Sequence, residues 1–187
     1  MPLFARWRAE RDLHRKAQRF VLRLLEEPGD EDVRWLAQAA TRGDTDHARW
    51  ELRYARRALG LLAAERDALD DRTGAVVAHA LAAAFEHDPE IAEGMRDVSE
   101  RQFNARLSAY RDGLAARAGA GTAARLGQTL FAFAGGSFRQ VDESILRSGE
   151  LLMRYLGESN AALRELFGTA ALPEHLPPSA VASKAER

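Results

Sequence analysis

Residues 44–69 read DTDHARWELRYARRALGLLAAERDAL, and this stretch decides the fold of the chain. On a helical wheel, at about 100° per residue, it has two apolar faces roughly a third of a turn apart. One face holds Trp50, Tyr54, Ala58 and Leu61, and the other holds Ala48, Leu52, Ala55, Leu59 and Leu62. Because a surface helix needs only one apolar face, a helix with two is expected to have neighbours on both sides. The stretch is therefore predicted to be the central helix of an all-α domain.

The composition is that of an ordinary globular protein, and it argues against several classes of function. At 187 residues the chain suits one domain with a core of its own. The formal net charge of −1 lacks the basic excess of a nucleic-acid-binding protein, so no nucleic acid is expected as a partner. Because the sequence has no cysteine, it offers no disulfide, thiolate nucleophile or cysteine-ligated metal. Arginine stands at all but two of the Lys/Arg positions, which indicates a GC-rich bacterial genome.

The start of the chain and its most apolar stretch bear on localisation. Residues 1–16 alternate charged and apolar side chains, so no secretory signal is predicted. The most apolar stretch, residues 126–138, is too short to cross a bilayer, which takes about 20 residues. We expect a cytoplasmic protein that is at most peripheral to the inner membrane.

Glycine, proline and capping signals divide the chain into seven to eight helical segments, and no alternating run predicts a strand. Residues 70–74 have the composition of a turn, and a nearly all-apolar helix follows them. Asp88 and Pro89 predict a helix start, residues 137–140 have capping-box spacing, and Gly157 is expected to end a helix. The prediction is a single-domain helical bundle over residues 1–172 with a flexible, disordered tail over residues 173–187.

Histidine and glutamate at metal-ligand spacing are the first candidates for a chemical site. His47 and Glu51 lie four residues apart on the central helix, and His79, Glu86 and His87 follow later. Di-iron bundles need an inward-facing Glu-x-x-His motif on each of two helices, and this sequence has none. No serine lies in a nucleophile elbow, and no glycine pair leads into a phosphate-binding Gly-Lys-Ser/Thr. We therefore predict no enzyme activity, no metal and no cofactor.

Basic residues line the remaining edge of the central helix, and we call them the arginine strip. The strip consists of Arg49, Arg53, Arg56 and Arg57. Guanidinium groups one turn apart repel each other unless acidic neighbours or an anionic partner compensate them. Carboxylates of adjacent helices can pair with the strip, which the near-neutral total charge makes easy. Alternatively, the strip faces outward and docks an acidic protein segment or anionic lipid headgroups.

A second basic cluster lies near the start of the chain. It contains Arg6, Trp7, Arg8, Arg11, His14, Arg15 and Lys16. Basic residues around an aromatic one are typical of a helix that lies on a membrane surface. A helix face that contacts only solvent is the simpler interpretation.

Four aromatic residues are expected in the core. They are Trp50, Tyr54, Phe103 and Tyr110. Truncation of a buried Trp50 to alanine would cost about 3–5 kcal/mol of stability. An exposed Trp50 would instead be an interface residue.

Three stretches together carry a family resemblance. Asp44 and Thr45 are followed by residues 49–52 (RWEL), similar to an Asp-Thr and Arg-Phe-acidic-aliphatic pattern. Residues 103–106 (FNAR), with residues 109–110 (AY) and 114 (L), are similar to a Phe-Tyr-Gly-Arg…Ala-Tyr…Leu pattern. Residues 126–131, and more loosely 155–173, are similar to the ends of bacterial members. In this order the stretches resemble the ubiquinol–cytochrome c chaperone family, helical assembly factors for the cytochrome b subunit of the bc1 complex.

The resemblance implies a non-enzymatic, chaperone-like binding or assembly protein that shields a newly made membrane respiratory subunit and is peripheral to the membrane. The residues that it assigns to the fold and the partner-binding surface are Arg49, Trp50, Phe103, Arg106 and Tyr110. Arg53, Arg56 and Arg57 join them as candidates from the arginine strip. Such a role requires an exposed apolar groove with a basic rim, which the central helix could border. The alternatives are a homodimeric bundle of structural or regulatory role and a helical metal- or small-ligand-binding protein.

Overall fold

The described part of the chain is helical throughout its regular elements. A computed structural model describes residues 2–68, 70–116, 121–137 and 141–168, without the side chains of residues 2–5. The α-helices in these ranges are α1 (Pro2–Leu24), α2 (Asp30–Ala39), α3 (Thr45–Asp67), α4 (Asp71–Glu86), α5 (Arg96–Ala115), α6 (Thr122–Phe133) and α7 (Glu143–Phe167). A single 3-10 turn, Glu93–Met95, precedes α5. The all-α bundle is confirmed for these residues, whereas the predicted tail over residues 173–187 lies outside them.

α3 is the central helix that the sequence predicts. It contacts every other α-helix of the described chain. Leu52 and Leu59, from one predicted apolar face, are fully buried, and Tyr54 from the other face is 3% exposed. The helix also begins where expected, because the Asp44 carboxylate accepts a hydrogen bond from the His47 amide at 2.9 Å. Neighbouring helices therefore cover α3 on both apolar faces.

α6 and α7 pack closely because each presents a glycine to the backbone of the other. A Cβ atom at Gly127 would overlap the carbonyl oxygen of Ile145, and one at Gly149 would overlap the carbonyl oxygen of Ala123. No larger residue fits at either position without moving a helix. These two glycines therefore set the distance between α6 and α7.

The predicted turn at residues 70–74 is wrong. α4 already begins at Asp71, so most of this stretch is its first turn. The Asp70 carboxylate caps the helix and accepts a hydrogen bond from the Thr73 amide at 2.7 Å. Aspartates near a helix start serve turns and caps equally well, which is why composition alone misplaced the boundary.

The predicted helix start at Asp88 and Pro89 is also wrong. Residues 87–92 form an irregular segment, which we call the 87–92 loop. The Asp88 carboxylate accepts a hydrogen bond from the Glu90 amide at 3.1 Å, as in an Asx turn. The next α-helix is α5, which starts at Arg96.

α7 starts later than the sequence predicts. The proposed capping box covers residues 137–140, of which 138–140 lie outside the described residues. Within the described chain α7 begins at Glu143, and the Asp142 carboxylate caps it through the Ile145 amide at 3.0 Å. The helix start predicted at residue 137 is therefore wrong.

Gly157 does not end α7, which continues to Phe167. A glycine inside a helix costs only about 1 kcal/mol relative to alanine. Buried side chains on both sides of it, Tyr155 and Leu163 among them, hold the helix against the core. Tertiary packing therefore outweighs the local breaker signal.

Candidate functional site

The inner part of the arginine strip is buried under carboxylates of the same chain. Arg53 Nη2 lies 2.8 Å from Glu27 Oε2, and Arg53 Nη1 donates to Glu90. Arg57 Nη2 lies 3.1 Å from Asp88 Oδ2. The side chains of Arg53 and Arg57 are only 6% and 5% exposed. These two arginines are internal ion-pair partners and not an open basic surface.

The outer part of the strip is paired as well. Arg56 lies 3.3 Å from a carboxylate oxygen of Glu26 and 3.0 Å from one of Glu158. Arg49 lies 3.5 Å from a carboxylate oxygen of Asp30. Each arginine of the strip therefore has at least one acidic partner.

An acidic segment of the chain covers the arginine strip. Residues 26–32 read EEPGDED and span the connection from α1 to α2 and the first turn of α2. Glu26, Glu27 and Asp30 from this segment pair with the strip. Of the two interpretations of the strip, internal pairing with carboxylates is confirmed, and an outward-facing strip of unpaired arginines is wrong. The physical reason is that a charge withdrawn from water requires a partner of opposite sign.

Arg57 carries the least well satisfied of these charges. Its Nη2 donates to Asp88, whereas its Nε and Nη1 have no hydrogen-bond partner among the described residues. Its guanidinium lies 4.9 Å from the centre of the Phe85 ring, a cation–π contact. Burial lowers the pKa of Arg57 despite the nearby Asp88. Burial also opposes the charge of Arg53, but hydrogen bonds with its two carboxylate partners outweigh this and raise its pKa.

The ion pairs of the strip hold the 87–92 loop against α3. Asp88 and Glu90 of this loop bind Arg57 and Arg53 respectively. The same loop places Ile91, which is 8% exposed, among the core side chains. Part of the arginine strip therefore positions a loop instead of meeting a partner directly.

Arg106 forms the most buried ion pair of the described chain, with Glu51. Its Nε donates to Glu51 Oε2 at 2.7 Å, and its Nη2 donates to Glu51 Oε1. The guanidinium lies 5.0 Å from the centre of the Tyr54 ring and 4.5 Å from that of Phe133. His47 Nε2 is 3.3 Å from the same carboxylate. Glu51 was absent from the predicted site, although its spacing from His47 had marked it as a metal-ligand candidate.

The aromatic residues expected in the core divide into buried and half-buried ones. Tyr110 is fully buried, its hydroxyl has no partner among the described residues, and burial raises its pKa. The Tyr54 hydroxyl lies 2.9 Å from Ser99 Oγ, and burial raises its pKa also. Phe103 is 7% exposed. Trp50 is only half-buried, so its placement in the core is wrong; it packs at the core's edge against Tyr54.

The eight predicted partner-binding residues do not form one open surface. Five of them are buried, namely Arg53, Arg57, Phe103, Arg106 and Tyr110. Arg49, Trp50 and Arg56 are partly exposed. The five buried residues are therefore better placed to shape the neighbouring surface than to contact a partner directly.

An apolar cleft lies between α4 and α5 and is the best candidate site in the described chain. Its volume is about 250 Å³. The main apolar side chains that line it are Leu61, Leu81, Phe85, Ile91, Phe103 and Leu107. The Phe85 and Phe103 rings pack 4.7 Å apart at its wall. Only Phe103 of the predicted site residues contributes to this cleft.

The charged residues at the cleft have no partners, in contrast to the arginine strip. Glu86, Arg96 and Glu100 line it and are exposed. Within the described ranges none of the three side chains makes a hydrogen bond or an ion pair. With two carboxylates and one arginine, the rim is not the basic one expected for such a role. Free charges around an apolar floor are available to a partner, whereas the paired charges of the strip are not. The sequence signals for the cleft were the nearly all-apolar α4 and the apolar stripe of α5.

Two features are absent from the described residues. These residues hold no group of three or more histidine, cysteine, aspartate or glutamate side chains arranged to bind a metal ion. Nor does any described helix combine the length and the apolar character that crossing a bilayer requires.

Comparison with known proteins identifies no relative. No family model matches the chain, and neither a curated protein nor a solved structure shows significant similarity to it. The resemblance to the ubiquinol–cytochrome c chaperone family therefore stays a prediction from three short stretches.

Proposed function

We propose that this protein is a non-enzymatic helical binding module, and that its α4–α5 cleft receives the apolar face of a helix from a partner protein. The single observation that carries this proposal is an open apolar cleft whose charged rim residues, Glu86, Arg96 and Glu100, are unpaired in the described chain. Helix-in-groove recognition uses this combination, with apolar anchors in the floor and polar contacts at the rim.

The size of the cleft favours side chains of a partner over a large ligand. Its volume of about 250 Å³ lies below the usual range for small-molecule sites, roughly 300–1,000 Å³. A groove between two helices is well suited to side chains spaced three and four residues apart. A partner helix could bury such side chains against Leu61, Leu81 and Leu107 while its polar face stays in water.

The resemblance supplies the class of partner and the cellular setting of this proposal. If the resemblance is genuine, the protein is a bacterial, chaperone-like assembly factor that shelters an apolar helix of a membrane respiratory subunit before that subunit is assembled. The protein then works in the cytoplasm, peripheral to the inner membrane. Arg53 and Arg57 serve this function indirectly, because they anchor the 87–92 loop that closes part of the cleft.

A labelled helical peptide tests the proposal. The probe is a synthetic peptide of about 20 residues with leucine at helical spacing and lysine elsewhere. Its binding to the protein is measured by fluorescence anisotropy. A peptide of the same composition without the helical spacing is its control. We expect the periodic peptide to bind and the scrambled peptide to bind at least about tenfold more weakly.

Two matched variants locate the binding. Ala82 lies exposed in the cleft and Ala105 is exposed on the other side of α5. Ala82→Glu should weaken peptide binding about tenfold or more, because it puts a carboxylate on the apolar surface that the peptide would cover, whereas Ala105→Glu should leave it unchanged. Equal binding of the two peptides, or equal loss with both variants, overturns the proposal. So does a stable dimer in light scattering that Ala82→Glu dissociates, since a twin chain would then occupy the cleft.

A further inference from the structure

The amino-terminal half of α1 extends beyond the core of the bundle. Residues 6–9 are all exposed, and they cover a full helical turn. Ala17 is the first fully buried side chain along the described part of α1. Within the described residues, the turn of residues 6–9 therefore has no side chain buried in the bundle.

Trp7 is the exposed aromatic residue of this segment. It is 56% exposed, and the Arg11 guanidinium lies 4.8 Å from the centre of its ring. The other two tryptophans, Trp35 and Trp50, pack against the core. An indole ring has a large apolar surface and one N–H donor, which makes it typical of the water–membrane interface.

The charges of this segment are unbalanced, unlike those of the arginine strip. Residues 6–19 hold six lysine or arginine side chains and only two carboxylates, Glu10 and Asp12. Both carboxylates are already engaged by cations. Four arginines of this segment have no carboxylate within 4.0 Å among the described residues, namely Arg6, Arg8, Arg11 and Arg19. These guanidinium groups are free to bind an external anion.

We propose that residues 6–19 of α1 dock on an anionic lipid bilayer, with the Trp7 ring at headgroup level and the unpaired arginines on lipid phosphates. Arginine presents a planar fork of N–H donors that matches phosphate oxygens. A flat partner suits residues 6–9, because four consecutive exposed side chains on a helix form a convex surface that offers no groove to a peptide. The chain as a whole has a formal charge of −1, so the attraction is local to this segment.

This inference rests on the proposed function for its setting, since a module that shelters a membrane-protein helix works at a membrane. It does not use the cleft between α4 and α5. Ala82→Glu should therefore bind vesicles like the wild type, and a Trp7 variant should bind the helical peptide like the wild type. The two proposals can then fail separately.

Sedimentation with lipid vesicles tests the docking of α1. The full chain is mixed with vesicles of phosphatidylcholine alone or of equal parts of phosphatidylcholine and phosphatidylglycerol. At low ionic strength we expect binding to the anionic vesicles and little to the neutral ones, and we expect added salt to release the protein. Quenching of tryptophan fluorescence by brominated lipid should accompany binding and disappear in Trp7→Ala.

Matched variants separate this segment from the rest of the surface. Arg8→Gln with Arg11→Gln should lower vesicle binding about tenfold or more. The control is Arg42→Gln with Arg101→Gln, which removes the same amount of charge from two other exposed arginines. This control should change vesicle binding little. Trp7→Ala should weaken binding, whereas Leu22→Ala, at an exposed leucine further along α1, should not.

Three results would overturn the inference. The first is no binding to anionic vesicles at low salt by a protein with its normal helical circular dichroism. The second is an equal effect of the segment variants and their matched controls. The third is binding of an acidic peptide such as poly-glutamate through Arg8 and Arg11 with no vesicle binding, which would assign the segment to an acidic protein partner.

Discussion

Arg106 donates hydrogen bonds from Nε and Nη2 to the two carboxylate oxygens of Glu51, and the pair connects α5 to the central helix α3. The two residues are 55 positions apart in the sequence. They belong to the two stretches, residues 49–52 and 103–106, that carry most of the family resemblance. Because both side chains are withdrawn from water, each needs the charge of the other.

Removal of one partner of this pair should cost more than removal of both. Arg106→Met leaves the Glu51 carboxylate buried without its main partner, so the free energy of unfolding should fall by about 3–5 kcal/mol. The double variant Glu51→Met with Arg106→Met should recover most of that loss, because two apolar side chains then face each other. Urea unfolding of the wild type, both single variants and the double variant measures the coupling. A double variant that loses the sum of the two single effects would contradict the prediction.

All three tyrosines should resist ionisation in the folded protein. Burial raises the pKa of Tyr54 and Tyr110, and it raises the pKa of Tyr155 to about 12. An unfolded tyrosine ionises near pH 10, so the folded state holds these protons more tightly. The stability that Tyr155 contributes in this way is complete below about pH 10 and is lost as the pH rises through about 12.

Tyrosinate absorbance checks this prediction directly. At about pH 10.5 it should be much smaller for the native protein than after unfolding in urea, because each folded tyrosine has a raised pKa. Strong absorbance from a chain that retains its native helical circular dichroism would show that the tyrosines are accessible to water.

Gly157 and Gly127 should respond in opposite ways to alanine. A Cβ atom at Gly157 meets no atom within 4 Å, so Gly157→Ala should raise the free energy of unfolding by about 0.5–1 kcal/mol. Gly127→Ala should lower it by about 1–3 kcal/mol or more, because the methyl group overlaps the carbonyl oxygen of Ile145. Urea unfolding measures both. A Gly157→Ala variant less stable than the wild type would argue against a continuous α7.

Two tyrosine hydroxyls should differ in what they contribute to stability. Tyr110→Phe removes a buried hydroxyl that has no partner among the described residues, so stability should be unchanged or rise by about 1 kcal/mol. Tyr54→Phe removes the hydrogen bonds of this hydroxyl with Ser99 and Gln102 and should cost about 1 kcal/mol or more. Thermal unfolding of the two variants distinguishes them, and a large loss in Tyr110→Phe would reveal an unrecognised partner for its hydroxyl.

Truncation of Trp50 should cost less than it would at a core position. Trp50 is half-buried at the edge of the core, so Trp50→Ala should lower the free energy of unfolding by about 2 kcal/mol rather than 3–5 kcal/mol. Trp7→Ala is the control, because Trp7 is exposed and its loss should change stability by no more than about 0.5 kcal/mol. Equal losses in the two variants would contradict the placement of Trp50.

The sequence by itself determined the fold class and the position of α3 within it. Two apolar faces on residues 44–69 can be buried only if neighbours lie on both sides, and Asp44 marks the helix start through a local hydrogen bond. Both inferences use interactions between residues a few positions apart, or the simple need to bury apolar surface. Both inferences are therefore independent of how the rest of the chain folds.

Only the tertiary structure decided the state of the arginine strip and the location of the cleft. The strip looks the same in the sequence whether solvent or carboxylates surround it, and Glu90 and Glu158 reach it from 37 and 102 positions away. Gly157 likewise stays helical because distant packing outweighs a local penalty of about 1 kcal/mol. Long-range pairing depends on how the helices cross, and a helical pattern specifies which face is buried but not which side chains meet there.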